Sequence, residues 1–252
     1  MRLHTVLAGA GALALLPCAG RAQEAFTDRF PIGDCSFQTR GGNQLFLLLP
    51  GRELHYSNAR CVAAGDCDEL VELVVSVLEE TRRVRFEIDG VPRTVKTRVV
   101  EELETADGEL AEISRNFFAE CKGSGDVYYF GEEVDIFESD GSISHTGAWL
   151  AGEQGARPGL FLPGGAFLLG ARYFQEIAPE VALDRAEHVA LGLSLDLPAG
   201  HFEDCVEVEE TTELEPGSVS TKIYCPGTGL VVDGDLELEE IAGDEDEDED
   251  DD

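Results

Sequence analysis

A serial pattern of short strands and tight turns between residues 83 and 149 constrains the fold of this chain more than any other feature. β-Branched and aromatic residues alternate with polar ones, and the runs are closed by Asp-Gly or Gly-Ser-Gly. Asp89-Gly90, Asp107-Gly108 and Asp140-Gly141 supply the positive φ angles of tight hairpins. Neighbouring strands therefore pair antiparallel and locally, without helical crossovers.

The same pattern extends over most of the chain. Strand-like runs at 45–49 and 52–56 flank Pro50-Gly51, and further runs continue from residue 171 to residue 241. Residues 69–78 fit a strand or a helical stripe, and their valines favour a strand. Residues 151–170 are rich in glycine and proline and predict a long loop. The sequence predicts a mainly β fold, a single antiparallel meander forming a strongly bent sheet or incomplete barrel.

The N-terminus has the layout of a secretory signal peptide. Arg2, an apolar run at 6–16 and small residues up to Ala22 predict a leader at 1–22. The apolar run is shorter than the roughly 20 residues of a membrane span, and we expect no span elsewhere. Pro17 argues against lipidation of Cys18. We expect an exported protein, periplasmic or extracellular, with an irregular arm at 23–44, a β-sheet domain at 45–242 and a disordered acidic tail at 243–252.

The charge of the chain is strongly acidic. It has 18 Lys and Arg against 52 Asp and Glu, a formal net charge of -34. This excludes a nucleic-acid partner, because phosphate binding needs a basic surface. The C-terminal carboxylates predict weak binding of calcium or another divalent cation, or attraction of a cationic protein, with a purely solubilising tail as the alternative. The predicted metal-binding residues are Asp244, Glu245, Asp246, Glu247, Asp248, Glu249, Asp250, Asp251 and Asp252.

Six cysteines remain after the predicted leader, an even number that favours disulfides in an exported chain. The turn at 215–217 places residues whose numbers sum to about 430 opposite each other, which pairs Cys205 with Cys225. Cys61 and Cys67 can close a small loop. Cys35 and Cys121 then pair by elimination. A zinc site is the alternative, but the spacings lack a repeated C-x-x-C.

Short motifs spread over residues 45–240 resemble those of a widespread family of uncharacterised secreted bacterial proteins. The motifs are LPGR at 49–52, GELAE at 108–112, NFFA at 116–119, GDVYYFGE at 125–132, GAW at 147–149, GARPG at 155–159, YFQE at 173–176, PAGHF at 198–202, TTELEPG at 211–217 and PGTGLV at 226–231. The resemblance implies no particular reaction or ligand. The cysteine-bearing segment 59–68 and the acidic tail depart from the family pattern.

No catalytic motif stands out in the sequence. Nucleophile elbows, phosphate loops and zinc-protease motifs are absent, so no catalytic residue is assigned. Glu132, Glu133 and Asp135 could converge with His145 near Trp149, or they could form a solvated hairpin end. Glu176 is a candidate for a partly buried carboxylate, or it could pair with Arg172 or Arg157. A hydrolase that uses Glu132 or Glu176 is therefore one hypothesis.

Two binding functions are stronger hypotheses than catalysis. The first is a non-enzymatic binding or scaffold protein whose acidic tail has weak affinity for calcium or a cationic partner. The alternative is a carrier of a small apolar molecule or lipid on the concave face of the sheet, beneath the loop at 151–170. No cofactor is expected apart from loosely bound calcium. The residues predicted to line the carrier pocket are Phe130, Trp149, Phe161, Phe167, Tyr173 and Glu176.

Overall fold

Strands dominate the part of the chain that the structure describes. A computed structural model describes residues 25–243, so the predicted leader and residues 244–252 lie outside the described residues. A 3-10 helix spans Ile32–Asp34, and helix α1 spans Ala59–Ala64. The strands are, in chain order, β1 Phe37–Gln38, β2 Gly41–Asn43, β3 Phe46–Leu48, β4 Glu53–Ser57, β5 Val71–Ile88, β6 Val91–Ala106, β7 Glu109–Cys121, β8 Val127–Phe137, β9 Ile143–Ser144, β10 Trp149–Leu150, β11 Arg157–Leu162, β12 Arg172–Phe174, β13 Glu176–Ile177, β14 Asp184–Leu197, β15 Gly200–Thr212, β16 Ser220–Cys225, β17 Gly229–Asp233 and β18 Leu236–Ala242.

Two antiparallel meanders form the main sheet. Strands β5 to β8 are neighbours in space in the order of the sequence, and so are β14 to β18. Strand β4 joins the two meanders, because it pairs with β18 on one side and with β5 on the other. This junction departs from strict sequence order, since it brings the last described strand beside one of the first.

Residues 172–177 bring the two ends of the sheet together. Strand β12 pairs with β14 at one end, while β13 pairs with β11, which itself pairs with β8 at the other end. The sheet is therefore nearly closed and barrel-like. The predicted mainly β fold, with an antiparallel and incompletely closed sheet, is confirmed.

The Asp-Gly turns lie where the sequence places them. Asp89 and Gly90 have φ angles of 50° and 76° between β5 and β6, and Asp107 and Gly108 have φ angles of 50° and 80° between β6 and β7. Both residues of each pair are thus in the left-handed region that a tight hairpin needs. Gly141 has a φ of 81° in the turn from β8 to β9.

Strand β5 shows that the ambiguous segment 69–78 is extended. The strand runs for 18 residues, and its register on β6 breaks between Val77 and Thr81. The guanidinium of Arg98 donates hydrogen bonds to the carbonyl oxygens of residues 78, 79 and 80, at 3.0, 2.8 and 3.4 Å. Arg98 therefore satisfies acceptors that the irregular register removes from the strand ladder.

The described part of the N-terminal arm is held against the sheet. Strand β1 pairs with the end of β7, and β2 pairs with β3 in a small separate sheet. The Cys35–Cys121 disulfide joins the arm to β7, with 5.1 Å between the two Cα atoms. Phe37 packs edge-on against Tyr128 and Phe130.

The other two predicted disulfides are also formed. Cys205 on β15 lies opposite Cys225 on β16, with a Cα–Cα distance of 4.2 Å, and the neighbouring pair in the register also sums to 430. Cys61 pairs with Cys67 over a separation of 6 residues. Helix α1 overlaps that loop, since it begins two residues before Cys61 and ends three residues before Cys67. No helix was predicted there from the sequence.

The prediction of a continuous loop over residues 151–170 is wrong. Residues 157–162 form β11, which pairs with both β8 and β13. Gly159 allows this pairing, because a Cβ atom there would lie 2.3 Å from the carbonyl oxygen of Gln175. Gly159 thus permits a close approach of two strands within a sheet and is not a sign of irregular structure.

Candidate binding site inside the barrel

A cavity of about 240 Å³ lies inside the nearly closed sheet. Alternate residues of each strand face it, as on any pleated strand, so β5 contributes Val75 and Val77 and β6 contributes Val100 and Glu102. Part of the wall is aromatic. Its aromatic residues are Phe46, Tyr56, Phe118, Tyr129, Phe161 and Tyr224.

Carboxylates outnumber cations in the wall of this cavity. Two cationic side chains, Arg52 and Lys222, face them, so the wall would have a formal charge of -4 if every group were ionised. Glu176 is buried, Asp184 is exposed and the other four acids are half-buried, so five of the six give up at least part of their hydration. The acidic residues of the wall are Glu102, Glu132, Glu176, Asp184, Glu210 and Asp233.

Lys222 supplies an ammonium group to the cavity. Its Nζ forms an ion pair with Asp233 and lies 3.9 Å from Oε2 of Glu210. Oε1 of Glu210 accepts a hydrogen bond from Gln175 at 2.7 Å. Burial lowers the pKa of Lys222, but the surrounding carboxylates outweigh burial and raise that pKa above its ordinary value. Lys222 therefore stays charged and neutralises part of the acidic wall.

Glu102 carries a strongly perturbed carboxyl group. Burial raises its pKa to about 7, the nearby Lys222 lowers it, and Asp233 and Glu112 raise it further. Within residues 25–243, no hydrogen bond reaches the Glu102 carboxylate, although its surface faces the cavity. Near neutral pH this group is therefore divided between its acid and its anion.

Glu132 is the second strongly perturbed acid. Burial raises its pKa to about 8, and the charges of Glu102 and Glu112 act in the same direction, while a side-chain hydrogen bond with Tyr129 opposes them. The Tyr129 hydroxyl also hydrogen-bonds to Oδ1 of Asn116. Glu132 is thus mostly protonated at neutral pH.

Glu176 and Asp184 form a pair of carboxyl groups. Glu176 is only 3% exposed, and its Oε1 accepts a hydrogen bond from the backbone N–H of Asp184 at 3.1 Å. Burial raises the pKa of Glu176 well above its ordinary value, and the charge and side-chain hydrogen bond of Asp184 raise it further. A protonated Glu176 can therefore share its proton with Asp184, as paired carboxyl groups do.

A second pocket, of about 210 Å³, lies next to the cavity and shares Glu132 with it. Trp149 lines this outer pocket, and its buried Nε1–H has no hydrogen-bond partner in the described part of the chain. Ala178, Pro179 and Val181 also line it. They belong to a tight turn closed by hydrogen bonds between Ala178 and Ala182, and Ala182 lines the cavity itself.

The residues predicted for the carrier pocket are divided among several places. Phe161 and Glu176 line the cavity, and Trp149 lines the outer pocket. Phe130 is fully buried on the other face of β8, where it packs on Phe37 and Phe86.

The remaining two predicted pocket residues form a separate cluster around His188. Phe167 stacks on the His188 ring at 3.7 Å between centroids, and the Tyr173 hydroxyl lies 2.9 Å from its Nε2. Burial lowers the pKa of His188 to about 4. This cluster is structural in character, because its polar groups satisfy one another.

The hairpin acids do not converge as one hypothesis required. His145 is largely exposed, and its Nδ1 contacts Asp135 and the carbonyl oxygen of Val134. Glu133 pairs with Arg82, and only Glu132 of this group faces the cavity. Arg172 pairs with Glu187, and Arg157 lies 3.8 Å from Asp28.

The cavity acids are too dispersed for a preformed metal site. In the range 25–243, the grouping of three ligand atoms within 4.8 Å of one another is Cys61, Cys67 and Asp235. Both sulfur atoms there belong to a disulfide and offer no thiolate. The predicted metal residues 244–252 lie outside the described residues.

Sequence reasoning missed most of the acidic wall. Glu102, Asp184, Glu210 and Asp233 lie among many similar acids, and only their register distinguishes them. Glu101 shows this, because it precedes Glu102 yet pairs on the opposite face with Arg115 at 2.8 Å.

No helix within residues 25–243 has the length and apolar character needed to span a membrane. Comparisons of the chain with protein-family models, with curated proteins and with solved structures found no match.

Proposed function

We propose that this protein is an exported binding protein that holds a small organic cation, an ammonium group on an apolar body, in the barrel cavity. The observation that carries the proposal is the convergence of six carboxyl groups and a set of aromatic rings on one cavity, to whose wall residues 25–243 contribute two cations. Ligand sites typically combine an apolar wall with a few converging polar groups.

The charge of the wall selects the sign of the ligand. Buried carboxylates cost free energy unless they are paired, and here the raised pKa values of Glu102 and Glu132 express that cost. A ligand ammonium would offset it by donating hydrogen bonds to their anions. A carboxylate or phosphate ligand would add to the repulsion.

The aromatic rings of the wall and the volume of the cavity indicate the apolar body and the size of the ligand. Phe118, Tyr129 and Phe161 lie within 4.7 to 6.0 Å of one another by ring centroids and offer faces for an apolar body and its cation. Since a cavity of about 150 Å³ holds benzene, a ligand of about ten non-hydrogen atoms fits a space of this size.

The two functions predicted from the sequence, an apolar carrier and a cation-binding tail, relate to the cavity in different ways. A wholly apolar ligand would fill the cavity but offer no hydrogen-bond donor to the Glu102 carboxylate, so we favour a ligand with a cationic group. Calcium or cationic-partner binding by residues 244–252 stays a separate prediction. Export is supported by three disulfides, which persist in oxidising compartments.

Calorimetric titration with benzylamine, benzyl alcohol and benzoate tests the proposal. The three probes share one ring and differ in the charge of one group. We expect benzylamine to bind more tightly than the alcohol, and benzoate not to bind. Glu102→Gln should weaken benzylamine binding about tenfold, the effect of losing one charged contact.

Glu101→Gln is the matched control, because Glu101 is adjacent on the same strand but pairs with Arg115 on the opposite face. This variant should bind benzylamine as the wild type does. Equal affinities for amine and alcohol would contradict the charge selection. Absence of binding by all three probes would exclude the cavity as a site for small aromatic cations.

A further inference from the structure

A basic surface on the β5–β6 hairpin is the most unusual charged surface of this acidic chain. Arg83, Arg85 and Lys96 are exposed there, and we call them the hairpin patch. Arg83 lies directly opposite Lys96 in the register, and Arg85 follows two residues along the same face. The other face of the hairpin carries Val84, Phe86 and Val95, which are buried in the core.

The hairpin patch has no acidic partner in residues 25–243. No carboxylate lies within ion-pair distance of its three cations in that range, although Glu87 follows on the same face. Other arginines do find acids, as Arg115 does with Glu101 and Arg185 with Glu213. Like charges directly opposite on paired strands are destabilising, so an anion bound at the Arg83–Lys96 pair would relieve their repulsion.

Strand β18 ends beside the strand that carries this patch and runs in the same direction as that strand. Ala242 on β18 lies opposite Glu53 on β4, which lies opposite Ser76 on β5. Both pairings are antiparallel, so β18 runs in the same direction as β5. Strand β18 therefore ends at the level of Ser76, and up to that point it runs toward the part of β5 that carries the patch.

The acidic residues are long enough to reach the patch. Nine residues, 244–252, span up to about 30 Å when extended, at about 3.3 Å each. Arg83 and Arg85 are seven and nine residues beyond Ser76, about 23 and 30 Å along a regular strand. The lateral offset is two strand spacings, about 10 Å, which puts Arg83 at about 25 Å and Arg85 at about 32 Å, so the extended segment covers the first distance and ends close to the second.

We propose that the acidic segment 244–252 docks on the hairpin patch of its own chain. Charge complementarity favours this occupant, because all nine residues are acidic and no acid within residues 25–243 forms an ion pair with the patch. Covalent connection supplies the segment at an effective concentration in the millimolar range, so weak contacts suffice. The inference does not depend on the cavity function.

Carbodiimide cross-linking tests the docking, because it joins lysine amines directly to carboxylates in contact. In the full chain, peptide mapping should find Lys96 joined to residues 244–252 within a monomer. Lys122, exposed elsewhere on the fold, is the internal control and should react at most about one fifth as often. Raising the salt from about 0.01 M to about 1 M should abolish the Lys96 product, since the screening length falls from about 30 Å to about 3 Å.

Charge variants make the outcome decisive. Arg83→Gln with Arg85→Gln should lower the yield at Lys96 at least about threefold while Lys96 itself remains reactive. The exposed position of both arginines should leave the fold intact, which circular dichroism checks. Equal yields at Lys96 and Lys122, or an unchanged yield in the double variant, would overturn the proposal. Cross-links only between two chains would overturn it in favour of docking between copies.

Discussion

The two faces of β8 show opposite ways of building an interior. Phe130 belongs to a packed layer in which aromatic rings fill the space between sheet and arm, and no part of its side chain is exposed. Tyr129 and Glu132 belong to the cavity wall, where carboxyl groups face space that the protein leaves unfilled. One strand thus separates a closely packed layer from a cavity wall that carries carboxyl groups.

The packed layer stabilises the fold, whereas the cavity wall belongs to the proposed binding site. Burial of apolar side chains in the packed layer lowers the free energy of the folded chain, and it needs no ligand to do so. The cavity wall raises that free energy, because its carboxyl groups lose hydration. The raised pKa values of Glu102 and Glu132 reflect this loss. Ionisable groups that lower the stability of the fold and face a cavity are common in binding sites.

The largest expected effect on the free energy of unfolding comes from truncating one ring of the packed layer. Phe130→Ala should lower the free energy of unfolding by about 3–5 kcal/mol, because it leaves a hole among rings that cannot close. Denaturant unfolding measures this loss. A loss below about 1 kcal/mol would mean that Phe130 is not part of a tightly packed core.

A smaller loss is expected from a substitution at the register break of β5. Arg98→Ala removes the donor to three carbonyl oxygens of residues 78–80 and should cost about 2–4 kcal/mol. The control is Arg60→Ala, whose exposed ion pair with Glu237 should contribute less than about 1 kcal/mol. Similar losses in both variants would contradict the role of Arg98 in the bulge.

The cavity wall should respond to pH in the opposite sense to an ordinary acidic surface. The folded state binds protons at Glu102 and Glu132, with pKa values of about 7 and about 8, more tightly than the unfolded chain. Stability is therefore greatest at low pH with respect to these groups and is lost as pH rises to about 8. His188 does not oppose this above about pH 6.5, because its folded pKa is about 4.

Glu132→Gln should flatten that profile. At about pH 8.5 and above, the variant should be more stable than the wild type by about 1–3 kcal/mol, since it no longer ionises in the wall. Unfolding curves between about pH 6.5 and pH 9 measure the difference. A wild-type stability that rises over this range would contradict the assignment of the raised pKa values.

The smallest effect is expected at the exposed hairpin. His145→Ala should change the free energy of unfolding by less than about 0.5 kcal/mol and leave benzylamine affinity unchanged, because His145 lies outside the cavity wall. A clear loss of affinity would return the hairpin acids to consideration as part of the site.

Local signals in the sequence predict local structure well. Asp89-Gly90 and Asp107-Gly108 determine their hairpins, and the turn at 215–217 aligns Cys205 with Cys225, because each depends on neighbours in the chain. The pairing of β18 with β4 carries no such signal. It follows from the burial of Leu238 against Tyr56 and similar long-range contacts.

The cavity wall was hard to predict for a related reason. Register shifts at Val77/Thr81 and at Asn116/Phe118 change which alternate residues face inward. A shift of one residue exchanges the two faces of a strand, so Glu101 and Glu102 are indistinguishable without the register. Glu176 was identifiable as a candidate because aromatic and aliphatic residues flank it.

Proton release on binding is the most direct test of the account. If an ammonium group pairs with the buried acids, it must favour their ionised forms, so benzylamine binding near pH 7.5 should release about half a proton or more. Calorimetry in two buffers of different ionisation heat measures this number. Binding without proton release would contradict the claim that Glu102 and Glu132 receive the cation.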